Sequence, residues 1–188
     1  SLFLIPRLEI NPDLDNYVPD HLENKAYLKE LESYFGSTEM ILVMLQADDV
    51  VNENTLERLR TLADELSQVE GINRCVSPFE AMEISYDDGF MMMEPFFDED
   101  FQNISDPESL KTRIEANPMA NRFFSDDFSL VSLILSKDKD APDIVIEELK
   151  AVVAKFPGEE EVLMGGLPFI RYSISGNIKS DMIILVPL

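Results

Sequence analysis

The chain has 188 residues, 45% of them apolar, with 37 Asp and Glu against 15 Lys and Arg and a formal net charge of -22. That length suits one generous domain or two small ones, with apolar material enough for a real core. The charge speaks against nucleic acid, since phosphate binding needs clustered Lys and Arg, and against an electrostatic dock on anionic lipid; it reads as solubility. The single cysteine, Cys75, excludes an intrachain disulfide and reads as a small buried hydrophobe.

In chain order, Leu2-Phe3-Leu4-Ile5 reads as the last residues of an apolar run, too short and without the basic leader of a signal peptide. Asn11 to Pro19 is an acidic lead-in. Asp20 and Glu23 form a capping-box pattern, and Ala26, Tyr27, Leu31, Tyr34 and Phe35 give the helix that follows an apolar face, ended by Gly36. Met40 to Leu45 is a continuous apolar run of strand length. Asn54 and Glu57 repeat the capping pattern. Leu56, Leu59, Leu62, Ala63, Leu66 and Val69 follow at helical spacing, Gly71 closes the helix, and Ile72 to Val76 predicts the next strand.

That strand–helix–strand rhythm returns. Leu130 to Leu135 is a strand. Asp140-Ala141-Pro142 starts a helix carrying Val145, Leu149, Val152, Val153 and Phe156, and Val162-Leu163-Met164 is a last strand. Two such units folded together predict an α+β, ferredoxin-like domain, with both helices on one face of the sheet. Residues 79–128 form a long connection between them. Glu83 to Gly89 reads as polar and turn-like, and Phe90 to Phe101 as a Met/Phe-rich segment. Asp106-Pro107 opens a helix to about Ala116, which Asn117-Pro118 stops. After Gly165-Gly166, Pro168 starts a terminal helix with Ile170, Ile174, Ile178 and Met182 in register. Met182 to Leu188 is wholly apolar. It reads as the first part of a membrane span, which needs about 20 such residues.

Catalytic chemistry finds little footing. His21 is the only histidine, beside Asp20, and reads as a cap-region residue ahead of a pH sensor. No nucleophile–base set, zinc cluster or phosphate-cradling glycine loop can be placed. Asp48-Asp49, Asp87-Asp88, Asp98-Glu99-Asp100, Asp126-Asp127 and Glu159-Glu160-Glu161 match no EF-hand spacing. They read as solvated surface, with a weak calcium site the minor alternative. The expectation is a non-enzymatic protein without cofactor or metal. The candidate contacts for a hydrophobic ligand are Met91, Met92, Met93, Phe96, Phe97 and Phe101, because unbranched Met and flat Phe adapt to varied apolar shapes. The competing origin of such a segment is a satellite core beneath the connection.

Gly166-x-Pro168, Asp181 and Pro187-Leu188 at the tail resemble the approach to the second transmembrane helix of resistance–nodulation–cell division (RND) exporters. The similarity is to the branch of predicted lipid or hydrophobe exporters that includes the mycobacterial-membrane-protein-large (MmpL) and hopanoid transporters. At the head, Leu4-Ile5-Pro6-Arg7-Leu8-Glu9-Ile10, Tyr17-Val18-Pro19-Asp20-His21 and Phe35-Gly36-Ser37 carry the same resemblance. It implies a periplasmic porter domain between the first two membrane helices. The domain's partners would be the rest of its own transporter and a hydrophobic or lipid-like cargo, with oligomeric assembly of the full-length protein. Proton flux would drive transport through helices outside this chain, leaving Pro168, Asp181 and Pro187 as membrane-boundary residues. The expected organisation is a lead-in over 1–38, β-α-β units over 39–77 and 128–166, an inserted connection over 78–127, and a helix running into a truncated span over 167–188. Two readings compete with it: a free-standing ferredoxin-like ligand-binding or regulatory domain, and an enzyme with a scattered carboxylate site.

Overall fold

A computed structural model describes residues 39–87, 90–97 and 106–175. The expected N-terminal helix, His21, Phe101, Ile178, Asp181, Met182 and Pro187 lie outside the described residues.

The first unit is β1 (Met40–Gln46), α1 (Glu53–Ser67) and β2 (Ile72–Val76). The second is β5 (Leu130–Lys137), α4 (Val145–Lys155) and β6 (Glu161–Gly165). Between them come a 3-10 turn (Pro78–Glu80), the strands β3 (Met82–Asp87) and β4 (Phe90–Pro95), and the helices α2 (Pro107–Ala116) and α3 (Pro118–Asn121). A helix over residues 167–175, α5, follows β6.

The main sheet has the order β2-β5-β1-β6, and every neighbouring pair is antiparallel. Within each unit the two strands therefore run parallel, with a strand of the other unit between them. This is the interleaving of a split β-α-β arrangement in an α+β fold. Register explains the core. Ile41 pairs with Leu135, Val43 with Leu133 and Leu45 with Val131, and all six side chains are buried on one face. Leu56, Leu59, Leu62 and Leu66 of α1 and Val145, Ile146 and Leu149 of α4 close over the same face. Alternation sends Leu42 and Met44 to the opposite face, where they are exposed and half-buried.

Two helix starts differ from the sequence expectation. The cap of α1 is Asn52, whose extended backbone lets its side chain accept from the Thr55 amide at 2.9 Å; Asn54 already lies within the first turn. α4 begins at Val145, not at Asp140. The Ala141 carbonyl, which a helix from Asp140 would use, accepts from the buried Lys137 ammonium at 2.5 Å, and the Asp138 carbonyl accepts from it at 2.9 Å. Asp106 caps α2, as the sequence predicts.

Two glycines are required by shape. Gly71, at φ +91, ends the turn after α1, where a Cβ would lie 2.8 Å from the Cβ of Ala141. Gly166, at φ +109, lets the chain leave β6 beside β1; a Cβ there would stand 2.1 Å from the Met40 carbonyl oxygen.

Candidate functional site

The connection between the two units forms a two-stranded antiparallel ribbon of its own, β3 paired with β4. The stretch read as polar and turn-like, Glu83 to Gly89, is therefore corrected: Met82 to Asp87 is strand. Two signals in the sequence carry this. Met82-Glu83-Ile84-Ser85 alternates with period two, and Asp88-Gly89 is a strong hairpin dipeptide between the two runs.

The ribbon is fixed at its base. The Phe96 amide donates to the Ala81 carbonyl at 2.9 Å. The Phe96 and Phe97 rings meet edge-on at 4.9 Å, and Phe79 meets Phe97 in the same way at 5.4 Å. Arg113 of α2 lies over the Phe96 ring at 4.9 Å and donates to Glu83 at 2.7 Å. Asn117 donates to the Met82 carbonyl at 3.0 Å. Leu110 and Ile114 of α2 are buried in the same core. Two strands alone are marginal in water, so this anchorage is what lets the ribbon stand.

Beyond the base the ribbon is bare. Phe90 is 75% exposed and Met91 60%, and Met92, Met93 and Ile84 are exposed as well. Ile84 pairs with Met93, and alternation places Met91 on their face, with Met92 and Phe90 on the other. Apolar groups thus look out from both faces. Where β3 meets α2 and α3, Met82, Ile84, Ala116, Pro118 and Met119 line an open groove of about 350 Å³, and the Glu83–Arg113 pair marks its polar side.

The candidate residues separate into two groups. Met91, Met92 and Met93 stand at the surface, and the structure adds Ile84, Phe90 and Met119 beside them. Phe96 and Phe97 are 1% and 3% exposed and belong to the core, which removes them from the set of surface contacts. Ile84 and Met119 escaped sequence reasoning because each lies outside the Met/Phe run, and pairing or a helix turn brings them to the ribbon. Pro168 is buried at the start of α5.

Burial, helped by Glu80 and Asp64, pushes the Cys75 thiol up to about 12, the opposite of an activated nucleophile. Among the described residues no three His, Cys, Asp or Glu side chains come together as metal ligands, and no helix is long and apolar enough to cross a membrane. No known family matches the chain, and no curated protein matches it.

Proposed function

We propose that the chain is a non-enzymatic, extracytoplasmic domain of a proton-driven RND-type exporter, and that the β3–β4 ribbon is where a hydrophobic or lipid-like cargo touches it. The observation that carries this reading is the ribbon itself. A domain with a net charge of -22 holds a row of methionines and a phenylalanine out in water, on a ribbon locked to the core only at its base. Contiguous apolar surface of that kind marks a contact site. Thioethers and a flat ring accept cargo of varied shape better than branched side chains do. The resemblance at head and tail, and the two interleaved β-α-β units, support the assignment to this exporter class. The domain's other partners are then the membrane helices and a second porter domain of the same transporter.

The test uses the full-length gene product. Hydropathy of the flanking sequence should show membrane spans directly before and after this segment. Met91→Gln, Met92→Gln and Met93→Gln should each leave the melting temperature within about 2 °C, as surface changes do. Combined, they should abolish efflux of a lipophilic dye from proteoliposomes. Full efflux by the triple variant would remove the ribbon from the cargo path. Absence of flanking spans would remove the exporter reading and leave a free-standing ligand-binding domain.

A further inference from the structure

At the end of the sheet where β1 begins and β5 ends, two carboxylates from distant parts of the chain hold two cations. Glu39 stands at the start of β1, and Asp143 lies in the turn before α4. Lys137, the last residue of β5, is 1% exposed, and its ammonium lies 3.5 Å from Glu39 and 3.8 Å from Asp143. Arg171 of α5 takes the same two carboxylates from outside. Its Nη1 donates to Glu39 Oε1 at 2.9 Å, its Nη2 pairs with Glu39 Oε2, and its Nε and Nη2 reach Asp143 at 3.4 and 3.3 Å.

The two cations are held differently. Lys137 also donates to the carbonyls of Asp138 and Ala141, so it is built into the loop and the core. Lys137 gives Glu39 and Asp143 each a cation contact that does not involve Arg171. The receptor for the guanidinium is therefore preorganised. The helix that carries Arg171 is weakly held otherwise. Residues 167–175 are the part of this helix that the structure describes. Within them only Pro168 is buried, while Phe169 and Tyr172 pack partly against the core. Lys150 lies over both of those rings, and the Tyr172 hydroxyl donates to Glu147 at the surface. The side facing away carries exposed Ile170 and Ile174.

We infer that Arg171 is a releasable latch: a single guanidinium, seated in a two-carboxylate receptor that Lys137 keeps assembled, decides whether α5 is docked on the domain. Releasing it costs the charge-assisted bonds of one side chain and leaves no buried charge without a partner. The device does not depend on what the ribbon binds.

Amide hydrogen exchange on the full chain tests this. Arg171→Gln should raise exchange over residues 167–175 about tenfold or more, as expected for loss of charge-assisted hydrogen bonds, while β1 and β5 change little. Arg171→Lys, a point charge without the planar fork, should fall between wild type and Arg171→Gln. Glu39→Gln should act differently and raise exchange in β1 and β5 too, because it takes a partner from buried Lys137. Unchanged exchange over 167–175 in Arg171→Gln would overturn the proposal, since packing alone would then hold α5. So would a global loss of protection in Arg171→Gln matching that of Glu39→Gln, since the four residues would then be one fixed piece of core.

Discussion

Phe96 and Met91 lie five positions apart in one apolar segment, yet the structure gives them opposite roles. Phe96→Ala removes a side chain that is 1% exposed, sits edge-on to Phe97 at 4.9 Å and lies under Arg113. Emptying a buried aromatic site costs about 3–5 kcal/mol, the cavity included. The lost ring–ring contact, about 0.5–1.5 kcal/mol, favours the upper half of that range. Met91→Ala removes a side chain that is already 60% exposed, so about 1 kcal/mol or less of burial is lost. In a chain of this size 1 kcal/mol moves the melting temperature by about 2–4 °C. Phe96→Ala should therefore lower it by about 6–20 °C and Met91→Ala by no more than about 4 °C. Urea and thermal unfolding followed by far-ultraviolet circular dichroism measure both. A Phe96→Ala variant within 1 kcal/mol of wild type would refute the view that the ribbon's base is core. A Met91→Ala variant losing more than about 2 kcal/mol would refute the view that its tip is bare in solution.

Leu149→Ala, at a fully buried position of α4, should cost about 2–5 kcal/mol in the same assay. Cys75 should resist alkylation at pH 8 in the folded chain and react on unfolding, read by mass spectrometry. Its thiol, ordinarily near 9.0, titrates in the folded state only at about 12, so it contributes stability that is present below pH 9 and lost as pH rises from 9 towards 12. Burial alone would raise the Glu39 carboxyl, but Arg171 and Lys137 outweigh it and hold the group below its ordinary 4.5. Its stability contribution is thus present above pH 4.5 and lost as pH falls further, and Glu39→Gln should flatten the acid limb of a stability–pH profile.

The main sheet was legible because its signals are local and strong. Continuous apolar runs at Met40–Leu45 and Leu130–Leu135 and helical spacing in α1 and α4 each specify one element, and their order specifies the two units. The ribbon was half legible. Its composition points to Met91, Met92 and Met93, but Gly89 and Pro95 obscured an edge strand, where proline is tolerated. Nothing in composition separates Phe90 from Phe96. That difference comes from Phe79, Arg113 and Ala81, which tertiary packing brings to one end of the ribbon. The latch was not legible. Glu39, Lys137, Asp143 and Arg171 are scattered along the chain, and Arg171 reads in sequence as one polar residue of an exposed helix face.

The latch joins Glu39, Lys137, Asp143 and Arg171, whereas the ribbon is held by Phe79, Ala81, Arg113 and Asn117. Glu39 precedes β1 and Lys137 ends β5, whereas the ribbon is reached from the end of β2, where Val76 pairs with Ile134. Both are joined to a sheet whose inner face is buried and close-packed, and such a body moves as a unit. A change in the docking of α5 should therefore reach the ribbon, if at all, by turning the whole domain, not by loosening it. The double variant Arg171→Gln with Met92→Gln tests this. Distant sites with no shared partner add to within about 0.5 kcal/mol. The two stability changes should sum within that margin, and ribbon amides should exchange in Arg171→Gln as they do in wild type. A coupling above about 1 kcal/mol would show that the sheet has a second arrangement available to both sites. Independence in stability together with lost transport in the full-length protein would place the latch's effect in the orientation of the domain.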